Sequence, residues 1–133
     1  MGDRQKVESV EQMLKTMKIP PQIPKSILTA INQLYEMEQK LNKLHDPGTL
    51  QRNINKMKDA FEEFGLAYED PMGQAFKETR TDLDAKISGT GTENLVVVEV
   101  IKPIIRYIAC DPEGKFSLVV QKGIVVVESR KES

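Results

Sequence analysis

Apolar residues in the first 65 positions recur at helical spacing, and beyond Gly65 they alternate or run together as they do in strands. Val7, Val10, Leu14 and Met17 predict an amphipathic helix from about Asp3 to Lys18. Pro20, Pro21 and Pro24 end it, because proline lacks a backbone donor and pushes its predecessor out of the helical region. Ile19 to Pro24 is therefore expected to be an extended joint. A second helix is predicted over Lys25 to Leu44, with Ile27, Ile31, Leu34 and Leu41 on its seam and Leu28, Tyr35 and Leu44 widening it. Glu38 interrupts that seam, either as a polar position that fixes register or as an exposed edge. Asp46 can cap exposed amides and Pro47 suits a first turn, so a third helix is predicted over Pro47 to Phe64. Its apolar stripe is Leu50, Ile54, Met57, Phe61 and Phe64. Gly65 supplies the left-handed residue of a helix ending, with Leu66 placed for the apolar contact that closes it.

The second half has strand character. Leu83, Ala85 and Ile87 alternate with Asp82, Asp84 and Lys86, the pattern of a half-buried strand. After the flexible run Ser88-Gly89-Thr90-Gly91-Thr92, Leu95 to Ile101 is an almost continuous apolar strand that Pro103 stops. Ile104 to Ala109 continues as strand. Asp111-Pro112-Glu113-Gly114 has the residue types of a type I turn and is expected to close a hairpin onto Phe116 to Gln121. Ile124 to Val127 is the last predicted strand, before a charged tail.

These elements predict an α+β chain. A helical arm and proline joint occupy 1–24, a helical hairpin 25–68, and a small, mainly antiparallel β-domain of four or five strands 69–133. Two apolar stripes facing each other leave their flanks wet, so the N-terminal hairpin is expected to pair with a second copy as a dimeric four-helix bundle. Leu34, Leu41, Ile54, Met57 and Phe61 are the expected dimer contacts. The alternative is that the sheet folds back over the hairpin within one chain.

Composition narrows the function. Nineteen basic and twenty acidic side chains leave no basic excess for phosphate-driven nucleic-acid binding, so no nucleic-acid partner is expected. A single cysteine, Cys110, can form no internal disulfide, which fits a reducing, cytoplasmic setting. Met1-Gly2-Asp3-Arg4-Gln5-Lys6 runs into charge without an apolar stretch, and Lys6 stands where a myristoylation signal carries Ser or Thr. No stretch approaches the roughly 18 apolar residues of a membrane helix, so no membrane partner is expected.

Candidate chemistry is sparse. His45 is the only histidine and has no second imidazole or thiol to share a metal or a triad with. Gly89-Thr90-Gly91 lacks the strand, helix and lysine of a phosphate loop. Asp82 and Asp84 are predicted to face the same way and could seat a divalent ion or form an acid/base pair, but the favoured reading is solvated outer-face carboxylates. Cys110 has no basic activator nearby in sequence. No catalytic residue, metal or cofactor is expected, and the surfaces are left to carry the function.

The order of parts resembles a known family. A helical hairpin, Phe64-Gly65-Leu66, Gly73-Gln74-Ala75-Phe76, a valine-rich strand at 98–102 and a closing Val-Val-x-x-Gly-x-Val-Val-Val at 119–127 are similar to the C-terminal part of GrpE, the nucleotide exchange factor of DnaK-type chaperones. Gly73 and Phe76 match the family's Gly-x-x-Phe. The Arg-Pro pair of its closing motif is replaced by Gln121 and Lys122, and only about 18 residues precede Pro20 where the family has a long paired helix. The resemblance implies a homodimer with projecting β wings that presses on a chaperone's nucleotide-binding domain and favours its open, ADP-releasing state. Lys102, Arg106, Gln121 and Lys122 are the candidate partner contacts, with Gly123 allowing close approach. The alternative function is a dimeric adaptor of the same architecture that binds another protein without exchange activity.

Overall fold

The computed structural model describes residues 22–46 and 48–130. The predicted helix over Asp3 to Lys18, most of the proline joint, Pro47 and the end of the charged tail lie outside the described residues. Helix α1 spans Lys25–Asn42 and α2 spans Leu50–Glu63. Six strands follow: β1 Leu66–Glu69, β2 Leu83–Ser88, β3 Leu95–Lys102, β4 Ile104–Asp111, β5 Gly114–Gln121 and β6 Gly123–Ser129.

Pro24 starts α1 at the expected place. Its extended backbone, φ −56° and ψ 141°, stays outside the helix while its carbonyl accepts from the amides of Ile27 and Leu28 at 3.0 and 3.3 Å. Helix α2 begins later than the Asp46-Pro47 signal suggests. Asp46 Oδ1 accepts the amide of Gly48 at 3.1 Å, which bends the chain locally, and Thr49 takes the cap position. Gly65 has φ +94° and its amide donates to Glu62 O at 2.9 Å, so the helix ends on a left-handed residue. Leu66 does not fold back onto that helix end. It opens β1, and Ile108 N donates to Gly65 O at 2.7 Å, joining the end of α2 to β4.

The strands form two three-stranded sheets, β1-β4-β5 and β2-β6-β3, where a single sheet of four or five was expected. β4 pairs antiparallel with β5 and β3 pairs antiparallel with β6. Together they make one long hairpin that turns between Asp111 and Gly114 and bends midway, at Pro103 on one arm and Lys122 on the other. β1 adds antiparallel to the outer side of β4, and β2 adds parallel to the outer side of β6. The bend is tight at Gly123, where a Cβ would stand 2.8 Å from Leu83 Cδ2 and 3.0 Å from Ile104 Cγ1.

Two consecutive residues past the bend serve different cores. Ile104 packs with Leu83, Leu95, Val97, Val125 and Val127, whereas Ile105 packs with Leu66 of β1 and Ile31 of α1. Successive side chains of a strand point to opposite faces, so one strand supplies both clusters. A third cluster, Leu34, Leu41 and Ile54, joins the two helices and reaches Tyr68 of β1.

This arrangement corrects the expectation of an N-terminal hairpin assembled into a four-helix bundle. The helices do not stand as a separate N-terminal hairpin. Their apolar side is covered by sheet β1-β4-β5 through Ile31, Leu66 and Ile105, each at most 1% exposed. No wide wet seam of the kind that motivated the bundle is left on that side, because β1 and β4 bring apolar side chains to it. The fold is α+β with two helices and two three-stranded sheets.

The joint at Gly65 makes a testable demand. Alanine there would hold a Cβ at positive φ and 2.7 Å from the Tyr107 ring, so Gly65→Ala should lower stability by about 1–3 kcal/mol in urea denaturation. Gly73→Ala, at φ +81° with open space around it, carries only the backbone strain and should cost less.

Candidate functional site

Helix α2 carries two apolar stripes. Ile54 and Phe61, seven apart, face inward, and Ile54 is buried against Leu34 and Leu41. Leu50, Met57 and Phe64, also seven apart, face outward and are 54%, 38% and 70% exposed. Met37 and Leu44 of α1 and the turn after it are exposed beside them. Leu50, Met57, Met37 and Leu44, with Leu41 and Ile54, line a groove of about 420 Å³ between the helices. Lys40 and Asn53 lie along it, and Arg52 and Lys56 are exposed on α2.

The expected dimer residues therefore divide. Leu34, Leu41 and Ile54 are buried between α1 and α2 of one chain, and Phe61 packs against them and against the Ile31 cluster. Met57 alone of the five lies on the exposed face.

A polar belt fixes the opposite side of the helix pair. Glu38 accepts from Tyr68 Oη at 2.6 Å, from Lys58 Nζ at 3.3 Å and from Gln51 at 3.4 Å, tying α1 to α2 and β1. Burial alone would raise the Glu38 pKa, but the Tyr68 hydrogen bond and the Lys58 charge outweigh it and hold the carboxyl below its ordinary value. Lys58 also stands 5.1 Å from the Tyr68 ring centre, and Tyr35 meets Tyr68 edge-on at 5.7 Å. Burial, with the neighbouring carboxylates Asp70 and Glu38, pushes both phenols far above the usual tyrosine range.

The candidate partner contacts gather near the hairpin bend, in different states. Lys102 is exposed at the end of β3, and its register partner is Ile124 of β6. Lys122 is exposed between β5 and β6, with Nζ 3.9 Å from Asp84. Arg106 is held inside the chain by Glu69 and Asp82, each at 2.8 Å. Gln121 exchanges hydrogen bonds with Asn32 of α1 at 3.0 and 2.9 Å and donates to Pro103 O at 3.0 Å. Gly123 is buried, and the close approach it permits is that of Leu83 and Ile104.

Asp82 and Asp84 do not act as a pair. Asp82 accepts from Nε and Nη2 of Arg80, each at 3.0 Å, and that contact, with Arg106 behind it, holds its carboxyl below the ordinary range. Asp84 faces solvent. His45 and Cys110 are exposed, and Gly89 lies in the bend between β2 and β3, with no helix after it. Among the described residues no group of three His, Cys, Asp or Glu side chains is placed to hold a metal ion, and no helix is long and apolar enough to cross a membrane. Residue patterning did not point to the Glu38–Tyr68–Lys58 belt. Its members lie 20 and 30 positions apart on different elements, and only the seam position of Glu38 hinted at a partner.

Compared with known protein families, with curated proteins and with solved structures, the chain matches none of them.

The belt gives a pH dependence with a defined sign. Glu38 and Asp82 have lowered pKa values in the folded chain and so bind fewer protons there than in the unfolded chain. Their stabilisation is full above the unfolded values of about 4 and is lost as pH falls through the folded ones. Tyr68→Phe removes a hydrogen bond to a charged acceptor and should cost about 1.5–3 kcal/mol at neutral pH. In urea denaturation the gap between Tyr68→Phe and wild type should narrow once the pH is below both Glu38 values.

Proposed function

We propose that the chain works by binding protein, as a co-chaperone of the GrpE type that speeds ADP release from a DnaK-type nucleotide-binding domain. The observation that carries this reading is a helix pair with an exposed apolar face, fixed to a β-module through Ile31, Leu66 and Ile105. Nucleotide exchange needs no catalytic residue on the factor. It needs surfaces held at a set angle, so that the open state of the partner is bound better than the closed one. The exposed Lys102 and Lys122 near the hairpin bend are the proposed contacts on the β side.

The proposed occupant of the groove between the helices is a second copy of the chain. Helix α2 is basic at Arg52 and Lys56 and acidic at Asp59, Glu62 and Glu63, so two copies of α2 laid antiparallel set unlike charges against each other. Such a contact uses Leu50, Met57 and Phe64. It leaves the inner seam inside each chain, and in this it differs from a shared four-helix core.

A second reading, an adaptor of the same architecture without exchange activity, is favoured by one observation. Arg106 and Gln121, two candidate contacts of the β-module, are held by hydrogen bonds within the chain. Titration into a DnaK-type ATPase domain loaded with fluorescent ADP separates the two. A saturable rise in release rate is the expected result, and an unchanged rate at saturation leaves the adaptor. For the dimer, sedimentation at several concentrations should show a monomer–dimer equilibrium in wild type and a dissociation constant at least about tenfold higher for Met57→Lys. A strict monomer at micromolar concentration would remove self-association.

A further inference from the structure

Sheet β2-β6-β3 leaves β3 at an edge, and the chain covers only the first part of that edge itself. Gly73 N donates to Val97 O at 3.0 Å, Val97 N to Gln74 O at 2.9 Å and Phe76 N to Leu95 O at 2.8 Å, with Ala75 bridging Val96 in antiparallel fashion. The covering segment stops there. Before Gly73 the chain turns on itself, with Met72 N bonded to Asp70 Oδ1 at 3.1 Å and Gln74 N bonded to Pro71 O at 3.1 Å. Among the described residues no strand pairs with the remaining edge of β3.

That remaining edge borders a cleft of about 410 Å³ whose far wall is α1. All four residues 98–101 line it. Successive strand side chains point to opposite faces, so four in a row mark a cleft that opens on the edge of the strand. Register shifts between Val97 and Glu99 and between Val100 and Lys102 fall in the same stretch, and irregularities of this kind re-aim side chains at strand rims. Ile101 and Met72 are each 54% exposed in it or beside it. Along the α1 wall acidic Glu36 is followed by basic Lys40 and, just past the helix end, Lys43, while Asp70 and Glu99 add carboxylates to the rest of the lining.

We propose that this cleft binds an extended segment of a partner polypeptide, which adds to β3 along residues 98–101 and continues the pairing that residues 73–76 begin. Backbone hydrogen bonds hold the segment and alternate apolar side chains meet Ile101 and Met72, the usual division of labour in strand addition. A basic residue toward Glu36 and an acidic one toward Lys40 and Lys43 complete the match. The site needs no chaperone partner and stands apart from the proposed exchange activity.

The test is an NMR titration of the full chain, labelled with nitrogen-15, with a blocked heptapeptide. Valine and threonine alternate in its centre, lysine starts it and glutamate ends it, and a second peptide has the end charges exchanged. The expected result is saturable shifts of the amides at 98–101, one charge order bound more tightly, and affinity lowered at least about tenfold by N-methylation of alternate residues, the effect of losing roughly 1.4 kcal/mol of backbone hydrogen bonding. Absence of shifts at 98–101 with both peptides at millimolar concentration would overturn the proposal. So would equal binding of the N-methylated peptide, or shifts of the same size along the open edge of β2.

Discussion

The fold turns on the neighbouring residues Ile104 and Ile105, both wholly buried and facing opposite ways. Ile104 closes the core of sheet β2-β6-β3, and Ile105 closes the core between sheet β1-β4-β5 and α1. Because the side-chain period of a strand is two, a slip of one residue in β4 would exchange these faces and empty both cores at once. Register is therefore fixed twice over. The tight fit of Gly123 against Leu83 and Ile104, and the side-chain bond from Gln121 to Pro103 O, hold the bend at which this division starts.

The same bend explains why Gln121 and Arg106, two of the polar groups near it, are not free surface. Gln121 reaches α1 at Asn32, and Arg106 bridges β1 and the start of β2 through Glu69 and Asp82. The Arg106 contacts link β1 and β2, whose buried residues Leu66 and Leu83 belong to different clusters. Exposed charge pairs contribute little by themselves, yet Arg80, Asp82 and Arg106 form a connected, partly sheltered network, which is the setting where such pairs count.

Much of the local structure was legible in the sequence. Alternation at Leu83, Ala85 and Ile87, the apolar run from Leu95, the Asp111 to Gly114 turn and the left-handed Gly65 all appear where the pattern put them. The division into two sheets was not legible, because Pro103 reads as the stop of one strand when it is the bend of a longer arm. β1 was missed because Leu66–Glu69 is only four residues long and follows Gly65 so closely that Leu66 reads as part of the helix ending. The cover over the helices was missed for a related reason. Periodicity reports that a face is apolar and says nothing of which partner meets it, and here Ile31 meets Ile105, 74 positions away. Of the candidate site, the outward Met57 was found, but only the folded chain separates it from the inward Ile54 and Phe61.

The bent hairpin also sets an order of events during synthesis. The helices leave the ribosome ahead of β1, and the apolar side formed by Ile31 and Leu66 stays open until β4 has emerged with Ile105. The hairpin in turn can close from its own short turn, since β4 and β5 are separated by two residues. Its arms then offer outer edges to β1 and β2, which have been waiting longer. Nascent helices with an uncovered apolar face are sites where a chain associates wrongly. The strands that follow therefore act, in effect, as the shield for the helices made before them.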